Sequence, residues 1–396
     1  MNRFAISIAF CSSIVLAGSI AVGIEPEALV DMQRQAGQGD ADKQQELGRL
    51  YEKGEGVPQD FAVAFEWYTK SAVQGNATGQ RRLGWMYEHG AGTPQDFAKA
   101  LEWYTKSAEQ GDANGQWRLG QMYEKGNGVP QDFAKALEWN TKAADQGNDN
   151  GQFRLGQLYA NGQGVPQDYV KAAEWFTKSA EQGNEYAQWW LGQLYEFGYG
   201  VPTDTAKAIE LYTQSAENGY AKGQTRLGEL YEEGGHGVGQ DSGMAFAWFE
   251  KAADQGDAYG QSWLGYLHET GKGVAQDSVK AFEWYTKSAE QGYAHAQRKL
   301  GEFYENGLGV EQDYAKALEW YIRAGEQGEE LAKQRLTIMY LLGTGGSIDV
   351  SKAFNYMSWK TVLVFLDFYW WCFPILISFT PLVVRGVSKV RGQQAT

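Results

Sequence analysis

The stretch DFAKALEWYTKSAEQGDANGQWRLGQMYEKGNGVPQ runs from Asp96 to Gln131, and from Asp132 the letters DFAKALEW begin again. A segment written out this way is a structural unit, because a catalytic residue is needed once and at one place. Aligned on a Leu-Gly pair, the units start at Leu47, Leu83, Leu119, Leu155, Leu191, Leu227, Leu264 and Leu300, with a step of 36 residues except for one of 37. The longer step contains Gly234–Gly237, a one-residue loop insertion. A ninth, degenerate copy begins at Leu336. A fixed period of this length is the mark of stacked repeats that form one extended array.

Each unit reads as two helices. Phe97, Ala100, Leu101, Tyr104 and Ala108 share one face of the second helix at the spacing i, i+3, i+4, i+7, i+11. Asp96 precedes that face and is placed to cap it, and Gly111 closes it. The first helix covers DANGQWRLGQMYEKG, with Leu119, Gly120 and Tyr123 on its packed side. Gly120 costs a helix interior about 1 kcal/mol relative to Ala. Its recurrence predicts that the paired helix crosses too closely for a Cβ. Pro130 stops the first helix from continuing. Such hairpins bury their apolar faces only by stacking. The expected fold is therefore an all-α, right-handed superhelical solenoid of antiparallel helix pairs. The tryptophan column (Trp67, Trp103, Trp139, Trp175, Trp248, Trp284, Trp320) lies off the main stripe of the second helix, where the next repeat is expected to pack.

The pattern A-x-x-x-L-G-x-x-Y-x-x-G-x-G-V-P-x-D-x-x-K-A-x-x-W-Y-x-K-[SA]-A-x-Q-G resembles the Sel-one-like repeat family, a relative of the tetratricopeptide repeats. Leu83-Gly84, Tyr87, Ala100 and Tyr104 fit both, while the period and the GVPQD loop fit the Sel-one-like branch. The resemblance implies an α-solenoid adaptor that binds proteins or peptides. Some cysteine-rich members are linked to β-lactam binding or hydrolysis. The repeats here have no cysteine, which speaks against a β-lactam hydrolase-like activity.

The ends bear on location. Residues 1–23 read as a signal peptide or an uncleaved anchor, and 24–38 as an N-terminal capping helix with Pro26 in its first turn. Repeats follow over 39–360. Residues 361–384 are apolar and long enough to span a bilayer, and the basic tail 385–396 points to the cytoplasm. Asp367 within that span is either hydrated near the interface or a contact to a partner helix. This places the repeats outside the cytoplasm, in a bacterial periplasm or, alternatively, an endoplasmic-reticulum lumen.

The net charge of −14 argues against a nucleic-acid partner. The four histidines form no metal-spaced pair on one helix, and neither a G-x-S-x-G nor a phosphate loop occurs. No enzyme activity, cofactor or metal is expected. Asn76-Ala77-Thr78 is a glycosylation sequon, though Asn76 also suits a helix N-cap.

Function is then expected where the copies differ. Counted from the Leu of Leu-Gly, positions −5, −2 and +2 form a stripe expected opposite the packed side. It holds Arg81, Trp85, Trp117, Phe153, Tyr186 and Trp189 in the second to fifth repeats. Aromatic and Arg side chains dominate binding energy at interfaces. The stripe is expected to line a groove for a protein or extended peptide. A carbohydrate or envelope polymer is the alternative, because rings also stack on sugars, and packing of the rings on one another is the plain structural reading.

Overall fold

The computed structural model describes residues 25–234 and 237–356. The segments expected to be a signal peptide (1–23), a membrane span (361–384) and a basic tail (385–396) lie outside the described residues. Among the described residues there are nineteen helices and no strand, and no helix is long and apolar enough to cross a membrane. The fold is an all-helical repeat solenoid. The chain divides into two units, Met1–Thr203 and Asp204–Thr396.

In the N-terminal unit, α1 (Pro26–Gly37) precedes four hairpins and a further first helix. The hairpins are α2 (Ala41–Lys53) with α3 (Phe61–Val73), α4 (Ala77–His89) with α5 (Phe97–Glu109), α6 (Ala113–Lys125) with α7 (Phe133–Asp145), and α8 (Asp149–Asn161) with α9 (Tyr169–Glu181). The last helix of the unit is α10 (Glu185–Phe197). The C-terminal unit starts with α11 (Thr205–Glu217). It continues with α12 (Ala221–Glu233), α13 (Ser242–Asp254), α14 (Ala258–Thr270), α15 (Ser278–Glu290), α16 (Ala294–Asn306), α17 (Tyr314–Glu326), α18 (Glu330–Leu342) and α19 (Val350–Tyr356).

Local chemistry sets the helix ends. The Asp96 carboxylate accepts the Lys99 backbone N–H at 3.0 Å and starts α5. Asn76 accepts the Gly79 N–H at 2.7 Å and starts α4, so the sequon asparagine is an N-cap. Between the two helices the chain turns through Gly90 and Gly92, both at positive φ. Gly92 is needed for a second reason. A Cβ there would lie 2.1 Å from the Phe61 carbonyl oxygen, so the loop of one repeat seats directly on the second helix of the repeat before it.

The glycine of each Leu-Gly pair is explained differently from the sequence expectation. A Cβ on Gly84 would meet the Tyr104 ring at 2.9 Å, and one on Gly156 would meet the Phe176 ring at 2.7 Å. At both positions the space is taken by an aromatic ring from the paired helix, not by that helix's backbone. Tyr104 is fully buried among Ala100, Ala108, Leu119 and Met122.

The tryptophan column packs between repeats, as expected, but on the other side. Trp103 covers a cluster of Ala64, Tyr68, Ala72, Leu83 and Met86, and Trp139 covers the next cluster along. Each indole therefore closes the seam between its own first helix and the preceding second helix, and faces back rather than forward. The reason is that a first helix packs between two second helices, and the indole of the later one covers the near seam. A cation roofs each ring: Lys106 Nζ stands 4.1 Å above Trp103, and Lys142 Nζ stands 3.9 Å above Trp139. Both lysines also reach the glutamate four residues earlier, at 2.6 and 2.7 Å.

One polar ladder links neighbouring repeats, and a second links the two helices within a repeat. The buried Gln80 donates to the Ala72 carbonyl at 3.2 Å and accepts from Gln110 at 2.6 Å. The same exchange recurs at Gln116 with Gln146 and at Gln152 with Gln182, both at 2.7 Å. Ser107 donates to the Ala77 carbonyl at 2.9 Å. These bonds satisfy buried groups that would otherwise be costly.

Candidate interaction surface

The variable stripe lies on the first helices of the N-terminal unit. Neighbouring first helices touch directly, α2 with α4, α4 with α6, and α6 with α8. This proximity corrects the expected orientation. The stripe is a flank wedged between adjacent first helices, not a face opposite the packed side. Its side chains consequently range from covered to exposed.

Tyr186 on α10 is 42% exposed, whereas Phe153 on α8 is only 6% exposed. Their rings are 5.7 Å apart, and Phe153 also leans on Phe176 at 5.9 Å. Phe153 is thus a floor under Tyr186 rather than a surface ring. Trp189 is half-buried and meets Trp190 edge-on at 5.4 Å, and Trp190 stacks on Phe176 at 5.9 Å. Phe153, Phe176, Tyr186, Trp189 and Trp190 therefore form one aromatic group at α8, α9 and α10. Sequence reasoning missed Trp190 and Phe176 as its supports. The adjacent tryptophans of the run Gln188-Trp189-Trp190-Leu191-Gly192 were the available signal.

The other members stand apart from that group. Trp117 on α6 is half-buried, with the Arg118 guanidinium 4.1 Å above its ring and its Nε1 3.4 Å from Asn114 Oδ1. Trp85 on α4 stacks on His89 at 4.6 Å and also packs against both neighbouring core clusters. Arg81 is drawn into an ion pair. Its Nε lies 3.1 Å from the carboxylate of Asp112, the N-cap of α6, so it clasps two repeats. Arg298 in the C-terminal unit does the same with Glu329, the N-cap of α18, at 2.9 Å.

In the C-terminal unit the corresponding stripe is closed by its own polar groups. Tyr259 donates to Glu229, and the buried Arg298 binds Glu302. Burial lowers the His295 pKa, with Arg298 and Lys299 adding to the effect. Among the described residues no group of three or more His, Cys, Asp or Glu is placed to hold a metal.

Comparison with family profiles finds the Sel1 repeat nine times, at residues 44–76, 77–112, 113–148, 150–184, 185–220, 221–257, 258–293, 294–329 and 330–358. The chain belongs to the Sel1 repeat family. Sel1 repeats build scaffolds for protein–protein interaction. Among solved structures, the chain is 35% identical to a protective antigen of uropathogenic Escherichia coli strains displaying an SLR fold, over 88% of this chain and 83% of that one, with a TM-score of 0.45. It is 29% identical to a Sel1 repeat protein from Oxalobacter formigenes, over 63% of this chain and 95% of that one, with a TM-score of 0.54. No curated protein matches the chain.

Proposed function

We propose that this Sel1 repeat protein is an interaction scaffold whose docking surface is the first-helix flank of the N-terminal unit. The occupant is a protein or extended peptide. The observation that carries the reading is the aromatic group at α8–α10. It gathers Tyr186, Trp189 and Trp190 in one repeat, each at a column where most other repeats hold a polar or charged residue, and it leaves Tyr186 substantially uncovered. Large rings with a rigid floor lose little side-chain freedom on binding, which is the economy of an interface anchor. Trp117 and Trp85 extend the same flank, and Arg81 and Phe153 act beneath the surface.

Affinity capture by the full chain, followed by repetition with Tyr186→Ala, tests this reading. A stoichiometric protein partner lost in the variant supports it. Retention on a polysaccharide column with no protein bound would favour a carbohydrate ligand. We place the scaffold outside the cytoplasm, tethered through 361–384, on the strength of the sequence at the two ends. Protease added to intact spheroplasts should then degrade the repeats.

A further inference from the structure

In the column that faces the helical glycine, Tyr68, Tyr104, Tyr285 and Tyr321 each donate the hydroxyl to a glutamate sixteen residues earlier in the chain, and Tyr212 holds the same place in the fifth repeat. Two repeats depart from this without stranding a charge. In the fourth, Phe176 lacks the hydroxyl and Ala160 lacks the carboxylate. In the sixth, Phe249 lacks the hydroxyl, but Glu232 takes Lys272 Nζ and Ser242 Oγ instead, both at 2.6 Å.

The third repeat departs differently. Asn140 replaces the ring, while Glu124 keeps the carboxylate. Asn140 is fully buried, and neither its Oδ1 nor its Nδ2 has a hydrogen-bond partner in the protein. Oε2 of Glu124 is buried and unpartnered as well, and its other oxygen lies 3.6 Å from Arg154. The Asn140 amide stands 2.8 Å from where a Gly120 Cβ would be, so it fills the near edge of the ring's place. The far edge, which carries the hydroxyl elsewhere, has no counterpart.

Buried polar atoms without partners destabilise the closed state and regain hydrogen bonds as soon as water reaches them. We propose that α6 and α7 separate ahead of the neighbouring hairpins, so that the third repeat is a built-in breathing point of the N-terminal unit. The joint lies between α6, which carries Trp117, and α8, which carries Phe153. Its opening moves the helices on which the candidate surface is built, but the opening itself does not depend on that surface having a ligand.

Hydrogen exchange on the full chain tests this. Amides of α7 should exchange roughly tenfold faster, or more, than those of α5 and α9. Asn140→Tyr should bring α7 to the rate of α5. Should that ring not fit, Asn140→Phe combined with Glu124→Ala transplants the pairing of the fourth repeat and should slow α7 likewise. Equal rates for α5, α7 and α9 in the unaltered chain overturn the proposal. So does an excess rate at α7 that persists in the Phe/Ala pair.

Discussion

Tyr104 donates its phenolic hydrogen to Glu88 at 2.7 Å, joining the second helix of a repeat to the end of its first helix. The same ring is what excludes a Cβ from Gly84. One side chain thus fixes the spacing of the hairpin through its flat face and its register through its hydroxyl.

This bond makes the array sensitive to alkali. Burial raises the Tyr104 pKa, and the negative charge of Glu88 raises it further; Tyr285 behaves alike with Glu269. A phenol whose pKa is higher in the folded than in the unfolded chain gives stability that is complete below the unfolded value of about 10 and is lost as pH rises beyond it. Thermal unfolding followed by circular dichroism should therefore hold its midpoint up to about pH 9 and fall above about pH 10. Tyr104→Phe removes one contributor and strands the Glu88 acceptor, at a cost of about 1–3 kcal/mol at neutral pH. An alkaline limb as steep in a variant with Tyr68, Tyr104, Tyr212, Tyr285 and Tyr321 all replaced would point to another group.

A second prediction concerns the ring's neighbour. Gly156→Val places a branched side chain where a Cβ alone would stand 2.7 Å from Phe176. Overpacking of this kind costs about 1–3 kcal/mol. Phe176 also supports Phe153 and Trp190, so the loss should reach the aromatic group. Urea unfolding gives the stability, and near-ultraviolet circular dichroism reads the rings. An unchanged aromatic spectrum would mean that the group does not depend on this contact.

The helix caps predict an acid limb. The backbone N–H of Lys99 is the leading cause of the lowered Asp96 pKa, and Lys316 does the same for Asp313. Because the folded pKa lies below the unfolded one, the stabilisation is present above the usual carboxylate value of about 4 and disappears as pH falls through the folded pKa. Asp96→Asn keeps an acceptor for the Lys99 N–H but does not titrate. Its unfolding midpoint should drop less than that of the unaltered chain between about pH 5 and pH 3. Parallel curves would remove Asp96 from the acid response.

The hairpin was legible in the sequence because its causes are local. The Leu-Gly period, the Asp96 and Asn76 caps and the glycine turns each act within a few residues. The Tyr104–Glu88 bond was not read, although Glu and Tyr recur at fixed offsets and the joint change to Ala160 and Phe176 marks the pairing. The direction of the tryptophan column escaped because it depends on which seam a first helix leaves open. The burial of Phe153 and the clasp of Arg81 on Asp112 depend on how closely neighbouring first helices approach. That distance is a property of the stack, and no single repeat encodes it.

On the function proposed above, residues that recur hold the array and residues that vary on the α8–α10 flank engage a partner. Trp139 belongs to the first kind, since it covers the cluster of Ala100, Tyr104, Ala108, Leu119 and Met122. Trp189 belongs to the second. The most direct test measures partner affinity and urea unfolding side by side for Trp139→Ala and Trp189→Ala. Trp139→Ala should cost about 3 kcal/mol of stability through the cavity it leaves, with affinity changed only as far as the fold loosens. Trp189→Ala should weaken binding by about 2 kcal/mol or more while unfolding at nearly the same urea concentration as the unaltered chain. If Trp189→Ala instead destabilises the array as much as Trp139→Ala and leaves the affinity of the remaining folded protein intact, the flank is core and the docking surface lies elsewhere.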